Sequence, residues 1–108
     1  MLPDQVPPAA AGCYADFFSR PALTMNFAAR VIEAEQTMVI VGIALRNAAG
    51  GFDIELTDVT QRLGGLDEQA SCAEMNLIIE ELVRRAPEQY QWSYKRFKRP
   101  PVGLEGIY

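Results

Sequence analysis

The chain has 108 residues, 49% of them hydrophobic and 22% charged, with a formal net charge of −4. That is room for one domain at most, able to bury about two thirds of the surface its unfolded chain exposes, and it excludes a disordered tail. Met1 to Val83 carries 4 Lys+Arg against 12 Asp+Glu and Arg84 to Tyr108 carries 6 against 2, so an acidic body ends in a basic tail, which excludes the wide cationic footprint of broad nucleic-acid binding.

Along the chain, the first 20 residues read as loop, because Pro3, Pro7, Pro8 and Gly12 break regular structure. Pro21 stands near a helix start with Ser19 as its cap, and a helix is predicted over Ala22 to Ala34, apolar on two adjoining stripes. Thr37 to Leu45 is almost unbroken in hydrophobicity and predicts a strand buried on both faces, as in the middle of a parallel sheet. Asn47 to Gly51 is turn chemistry. Phe52 to Val59 then alternates, Phe52, Ile54 and Leu56 on one side and Asp53, Glu55 and Thr57 on the other, which predicts a half-exposed strand antiparallel to the previous one.

Gly64-Gly65 closes the following loop, and a second helix starts near Asp67 or Ser71, where Ser71 and Glu74 have capping-box spacing. Met75, Ile78, Ile79, Leu82 and Ala86 form its buried stripe, Arg84-Arg85 suit its C-terminal dipole, and Pro87 ends it. The class is α/β. A strand like Met38 to Leu45 wants a sheet neighbour on each edge, and the chain offers one with confidence, so the expectation is a partial open sheet with helices packed on it.

Cys13 and Cys72 stand far apart without a C-x-x-C pair, and there is no histidine. No metal or cofactor is read from them, and with no secretory leader in view they read as reduced cytosolic thiols. Cys13 has no imidazole to activate it as a nucleophile. The longest apolar run, Met38 to Leu45, falls far short of the roughly 20 residues that span a bilayer, so the chain reads as soluble or peripheral. Arg30 and Arg46 are expected to pair with Glu33 or Asp53.

The most distinctive stretch is Ala86 to Pro100. It sets Tyr90, Trp92, Tyr94 and Phe97 beside Lys95, Arg96, Lys98 and Arg99. If the segment is extended, the rings at 90, 92 and 94 share one face. Rings followed by fixed positive charge suit lipid phosphates, and equally single-stranded nucleic acid. They also suit a C-terminal strap whose rings, Trp92 among them, fill the core. On the residues alone the three stay open.

The run Pro87-Glu88-Gln89-Tyr90-x-Trp92-x-x-Lys95-Arg96-Phe97-Lys98 resembles the C-terminal signature of the late lipid A acyltransferases, with Tyr94 where that family usually has His and Lys95 where it usually has Arg. Met1-Leu2-Pro3-Asp4-Gln5 and Phe17-Phe18-Ser19-Arg20-Pro21-Ala22-Leu23-Thr24 resemble two further blocks of the family in the same order, with Met75-Asn76 between them and the signature. The resemblance covers nearly the whole chain. It implies that residues 1–108 are the C-terminal part of such an enzyme, in a glycerolipid-acyltransferase-like fold, with 87–108 as a basic and aromatic C-terminal strap. Met1 lies where the family often has an apolar residue in mid-chain.

The family resembled moves a fatty acyl chain from acyl carrier protein to a hydroxyl of the lipid A precursor, at the cytoplasmic face of the bacterial inner membrane. Its engine is a His-x4-Asp motif in which His is the general base, and with no His here the chain carries no catalytic residue. No cofactor is implied, the donor being the carrier-protein thioester. Asp4 and Gln5 are expected to brace the catalytic wall or orient the acceptor, against a plain loop-capping role. Arg96, Lys98 and Arg99 are expected to grip a lipid phosphate or the acidic carrier, against a solvated strap. The alternative is a small module binding anionic lipid or phosphate through the basic and aromatic patch of residues 90–99. A bare sheet edge would also allow a homo-oligomer.

Overall fold

A computed structural model describes residues 1–35 and 37–108, apart from the side chains of 33–35. Where a loop and then a helix were expected, the chain forms a hairpin of β1 (Gly12–Phe17) and β2 (Arg20–Met25), paired antiparallel with Phe17 opposite Arg20. Its two-residue turn has positive φ at both positions, 49° at Phe18 and 60° at Ser19. That is the mirror-image turn that matches strand twist, here built without the Asn-Gly or Asp-Gly that usually announces it. Pro21 does not start a helix. It faces Asp16 one step beyond the bonded Phe17–Arg20 pair, where a ladder nitrogen points outward and its missing N–H costs nothing. The first helix is correspondingly short, α1 (Phe27–Glu35).

A second hairpin pairs β3 (Ile40–Arg46) with β4 (Phe52–Asp58), antiparallel as expected, through the Asn47–Gly51 turn. Burial departs from expectation. β3 alternates between exposed and half-buried residues instead of lying inside a parallel sheet. Val41, Ile43 and Leu45 face inward, while Ile40, Gly42 and Ala44 share the outer face with Phe52, Ile54 and Leu56. Ile54 and Leu56 are 72% and 71% exposed. The apolar side of β4 is thus the bare one, and Glu55 on the other side reaches Arg85 at 2.6 Å. Among the described residues the sheets are two separate antiparallel ribbons, so α/β holds in this looser form.

A single turn, α2 (Thr60–Leu63), plugs Leu63 into the core, and then α3 (Glu68–Arg85) runs along β1. Asp67 caps α3, accepting from the Ala70 N–H at 2.8 Å. Ser71, the other expected cap, is buried inside the helix. Arg62 ties α2 to α3 through Glu74 and Glu81, both at 2.6 Å. The core joins Phe17 and Ala22 of the first hairpin to Val59, Leu63, Met75, Ile78, Ile79 and Val83, with Tyr90 and Phe97 of the strap packed against it. No described helix is long and apolar enough to cross a membrane.

Candidate functional site

The tightest polar cluster lies inside, where β1, β2, α3 and the strap meet. Arg96 is 3% exposed. Its guanidinium donates to the Leu23 carbonyl at 2.7 Å, to Thr24 Oγ1 at 3.0 Å and to Asn76 Oδ1 at 3.3 Å, and lies 5.3 Å above the Phe17 ring. The Asn76 amide in turn donates to the carbonyls of Ala15 and Asp16 and to Thr24 Oγ1 at 3.2, 2.9 and 2.9 Å. A buried cation lowers its energy only where acceptors surround it, and here a planar fork meets backbone, hydroxyl and amide oxygens at once. Burial lowers the Arg96 pKa, opposed chiefly by Tyr90 and Asp4.

Glu80, 8% exposed, does comparable work four residues further along α3. It accepts from the Phe18 N–H at 2.7 Å and from Arg84 at 3.0 Å, holding the strained β1–β2 turn onto the helix. Phe18 also lies beneath the Arg84 guanidinium and 6.0 Å from Trp92, which meets Tyr90 edge-on at 4.9 Å. Burial first, then the Asp4 carboxylate, push the Tyr90 phenol up to about 12.

Beside this cluster a groove of about 380 Å³ runs between β3, α3, the strap and residues 1–4. Its wall is mostly apolar, from Leu2, Val41, Ile43, Met75, Ile79 and Leu82, with Asp4, Gln89 and Gln91 as the side chains of different character. The β3–β4 register turns the backbone of Ile40, Gly42, Ala44 and Arg46 away from β4. At Arg46 that open edge is met by one carboxamide. Gln89 Oε1 accepts from the Arg46 N–H at 2.7 Å, and Gln89 Nε2 donates to the Arg46 carbonyl at 3.3 Å, imitating a neighbouring strand.

Thr24, Asn76 and Arg96 come from widely separated blocks of sequence, and the fold joins them in one hydrogen-bonded cluster, while Gln89 braces the strand edge beside it. Those blocks are what the chain shares with known proteins: residues 1–99 match the family described as bacterial lipid A biosynthesis acyltransferase. The chain belongs to that family. Over 42 residues it is 52% identical to a lipid A biosynthesis palmitoleoyltransferase of Escherichia coli strain K12 and to a lipid A biosynthesis acyltransferase of Shigella flexneri. Over the same length it is 40% identical to a lipid A biosynthesis lauroyltransferase of Escherichia coli strain K12. Each match covers 39% of this chain and 14% of the relative, so the matched stretch is a small part of those proteins.

Within this lipid A acyltransferase segment the five expected contact residues occupy three different settings. Asp4 lines the groove beside Tyr90. Gln5 is exposed, in a turn closed by its own N–H on the Leu2 carbonyl. Lys98 and Arg99 are exposed, the first over the Tyr94 ring at 5.2 Å and the second donating to the Pro7 carbonyl at 3.3 Å. Arg96 alone is inside, its two terminal nitrogens already engaged. Its geometry is that of a buried internal contact and not of a surface grip.

The rings do not share one face, because the segment after Gln89 is a series of turns: Tyr90 packs toward Phe17, while the Tyr94 hydroxyl accepts from the Val6 N–H at 2.8 Å. Trp92 is 57% exposed and so does not fill the core as the strap reading would have it, its indole N–H donating to the Pro87 carbonyl at 2.7 Å. Arg30 approaches Glu68 at 4.0 Å and Arg46 lies over the Phe52 ring, while Asp53 accepts from Asn47. The Glu33 side chain lies outside the described residues. Sequence reasoning passed over Thr24, Asn76, Glu80 and Gln89. For Asn76 and Glu80 a signal existed, since both are polar residues on the apolar stripe of a helix.

Proposed function

We propose that this chain is the C-terminal part of an acyltransferase that moves a fatty acyl chain from the thioester of acyl carrier protein to a hydroxyl of a lipid A precursor. It supplies scaffold and acceptor-side surface, not the proton acceptor. The observation that carries the reading is a sheet left open in a chain matched to the family over residues 1–99: among the described residues β3 has an unpaired edge at Ile40, Gly42 and Ala44, and β4 a bare apolar face. Contiguous exposed apolar surface of this kind ordinarily has a partner. The rest of a glycerolipid-acyltransferase-like domain would continue the sheet there; a second copy of the chain meeting edge to edge is the competing occupant.

The chain has no histidine, so an imidazole base for the acceptor hydroxyl has to come from elsewhere in the enzyme. Asp4 and Gln5, at and next to the groove, are the residues proposed to orient the acceptor. Lys98 and Arg99 are proposed to meet its phosphates or the acidic carrier at the cytoplasmic face of the inner membrane. Arg96 acts through them by fixing the strap.

The test is acyl transfer by the isolated chain, with acyl carrier protein thioester and lipid A precursor as substrates. Turnover at the no-protein background is expected, because general-base catalysis alone is worth about 10²–10⁴-fold. Transfer clearly above background, abolished by Asp4→Asn, would overturn the division of labour proposed here.

A further inference from the structure

The two cysteines, far apart in sequence, come to neighbouring positions in the fold. Cys13 lies on β1 opposite Thr24 of β2, and its Sγ is 3.9 Å from the Glu68 carbonyl oxygen. Cys72 stands one helical turn beyond Glu68, so its own amide is bonded to that same carbonyl. The Cys72 Sγ lies 3.9 Å from the Thr24 carbonyl and 3.7 Å from that of Met25. Each sulfur therefore rests against backbone adjoining the other residue, which makes the two thiols neighbours across the β1–α3 contact. Both are reduced in this structure. Cys13 is half-buried and open to reagents, while Cys72 is 1% exposed.

We infer that Cys13 and Cys72 form a redox pair that closes into a disulfide stapling β1 to α3. The oxidant is a low-molecular-weight disulfide. The Cys13 thiolate attacks one of its sulfurs, the reagent's S–S bond breaks, and one thiolate leaves, giving a mixed disulfide on the exposed cysteine. Cys72 then gives up its proton to solvent, its sulfur attacks that of Cys13, and the second small thiol departs. Two protein thiols and one small disulfide become one protein disulfide and two small thiols. Burial and the neighbouring Cys13 thiol push the Cys72 thiol up, so the second step is the slow one. The bond fixes the first hairpin to the helix from which Asn76 and Glu80 hold it, and encloses α1 and the second hairpin in the closed loop.

The experiment treats the folded chain with glutathione disulfide, blocks residual thiols, and reads intact mass and proteolytic peptides. The expected product has lost two hydrogens, yields a peptide joining Cys13 to Cys72, reverts with dithiothreitol, keeps its circular dichroism, and gains about 10 °C in thermal midpoint. Cys72→Ser should stop at the glutathione adduct on Cys13, and Cys13→Ser should stay largely unmodified. Wild-type protein that halts at the Cys13 adduct, dimerises through Cys13, or forms the internal bond only in denaturant would overturn the inference.

Discussion

Arg96 is a cation that the fold has taken indoors, and the chemistry around it explains how a strap full of charge is nonetheless tied to the core. Its oxygens come from Leu23, Thr24 and Asn76, so removing the guanidinium leaves several buried acceptors unsatisfied and opens a cavity. Arg96→Ala is expected to cost about 3–5 kcal/mol in urea unfolding, and Asn76→Ala about 1–3 kcal/mol, with less than additive loss in the double variant. Arg96→Lys should recover little, because a point charge cannot span three acceptors. An Arg96→Ala variant as stable as the parent would remove the lock from the account.

Tyr90 gives the same neighbourhood a titration signature. Its phenol is pushed up to about 12 by burial and by Asp4. The folded state therefore holds the proton longer than the unfolded chain, whose ordinary value is 10.0. The stability this gives is fully present below pH 10 and is lost as pH rises through about 12. In an ultraviolet titration of the four tyrosines, one phenol should ionise late, and Tyr90→Phe should delete that late phase and no other.

At the scale of elements, the first hairpin shows how a local signal can be present and still point the wrong way. Pro21 after Ser19 looks like a helix start, yet the proline falls on a strand position that needs no N–H, and the turn is made by Phe18 and Ser19 in left-handed conformation. Neither residue favours that region. Tertiary contact carries the turn, with Glu80 holding the Phe18 amide and Phe17 meeting Phe18 edge-on at 4.8 Å. Ser19→Gly should relieve the strain and stabilise by about 0.5–1 kcal/mol, whereas Ser19→Val should destabilise by more than that. Equal midpoints for the three proteins would contradict the positive φ.

α3 was legible nearly to its ends because an apolar stripe, an N-terminal Asp and a terminating Pro all agree. β3 was legible in type and partner strand but not in burial, since an unbroken apolar run cannot say whether its second face is covered by this chain or by something else.

For the whole molecule, three of the sequence blocks that carry the family resemblance proved to be hydrogen-bonded to one another through Thr24, Asn76 and Arg96, and Arg96 lies buried where a grip on an outside phosphate was expected. Asn76, Gln89 and Arg96 act on backbone atoms of distant segments, and no spacing rule in a single sequence states which of those atoms they will reach. The two thiols read as unrelated for the same reason: only the packing of β1 on α3 brings them together. What remains exposed is coherent, an open edge on β3 and the bare face of Phe52, Ile54 and Leu56 beside it. That surface is the physical content of the claim that this segment works as part of a larger enzyme.

Hydrogen exchange of backbone amides in the isolated chain, at a concentration where it sediments as a monomer, tests that claim most directly. The account predicts strong protection in β1, β2 and the middle of α3 around the Arg96 lock, with the amides of Ile40, Gly42 and Ala44 exchanging at nearly the rate of an unstructured peptide. Protection of those three amides equal to that of β1 would show a sheet already complete, and would contradict it.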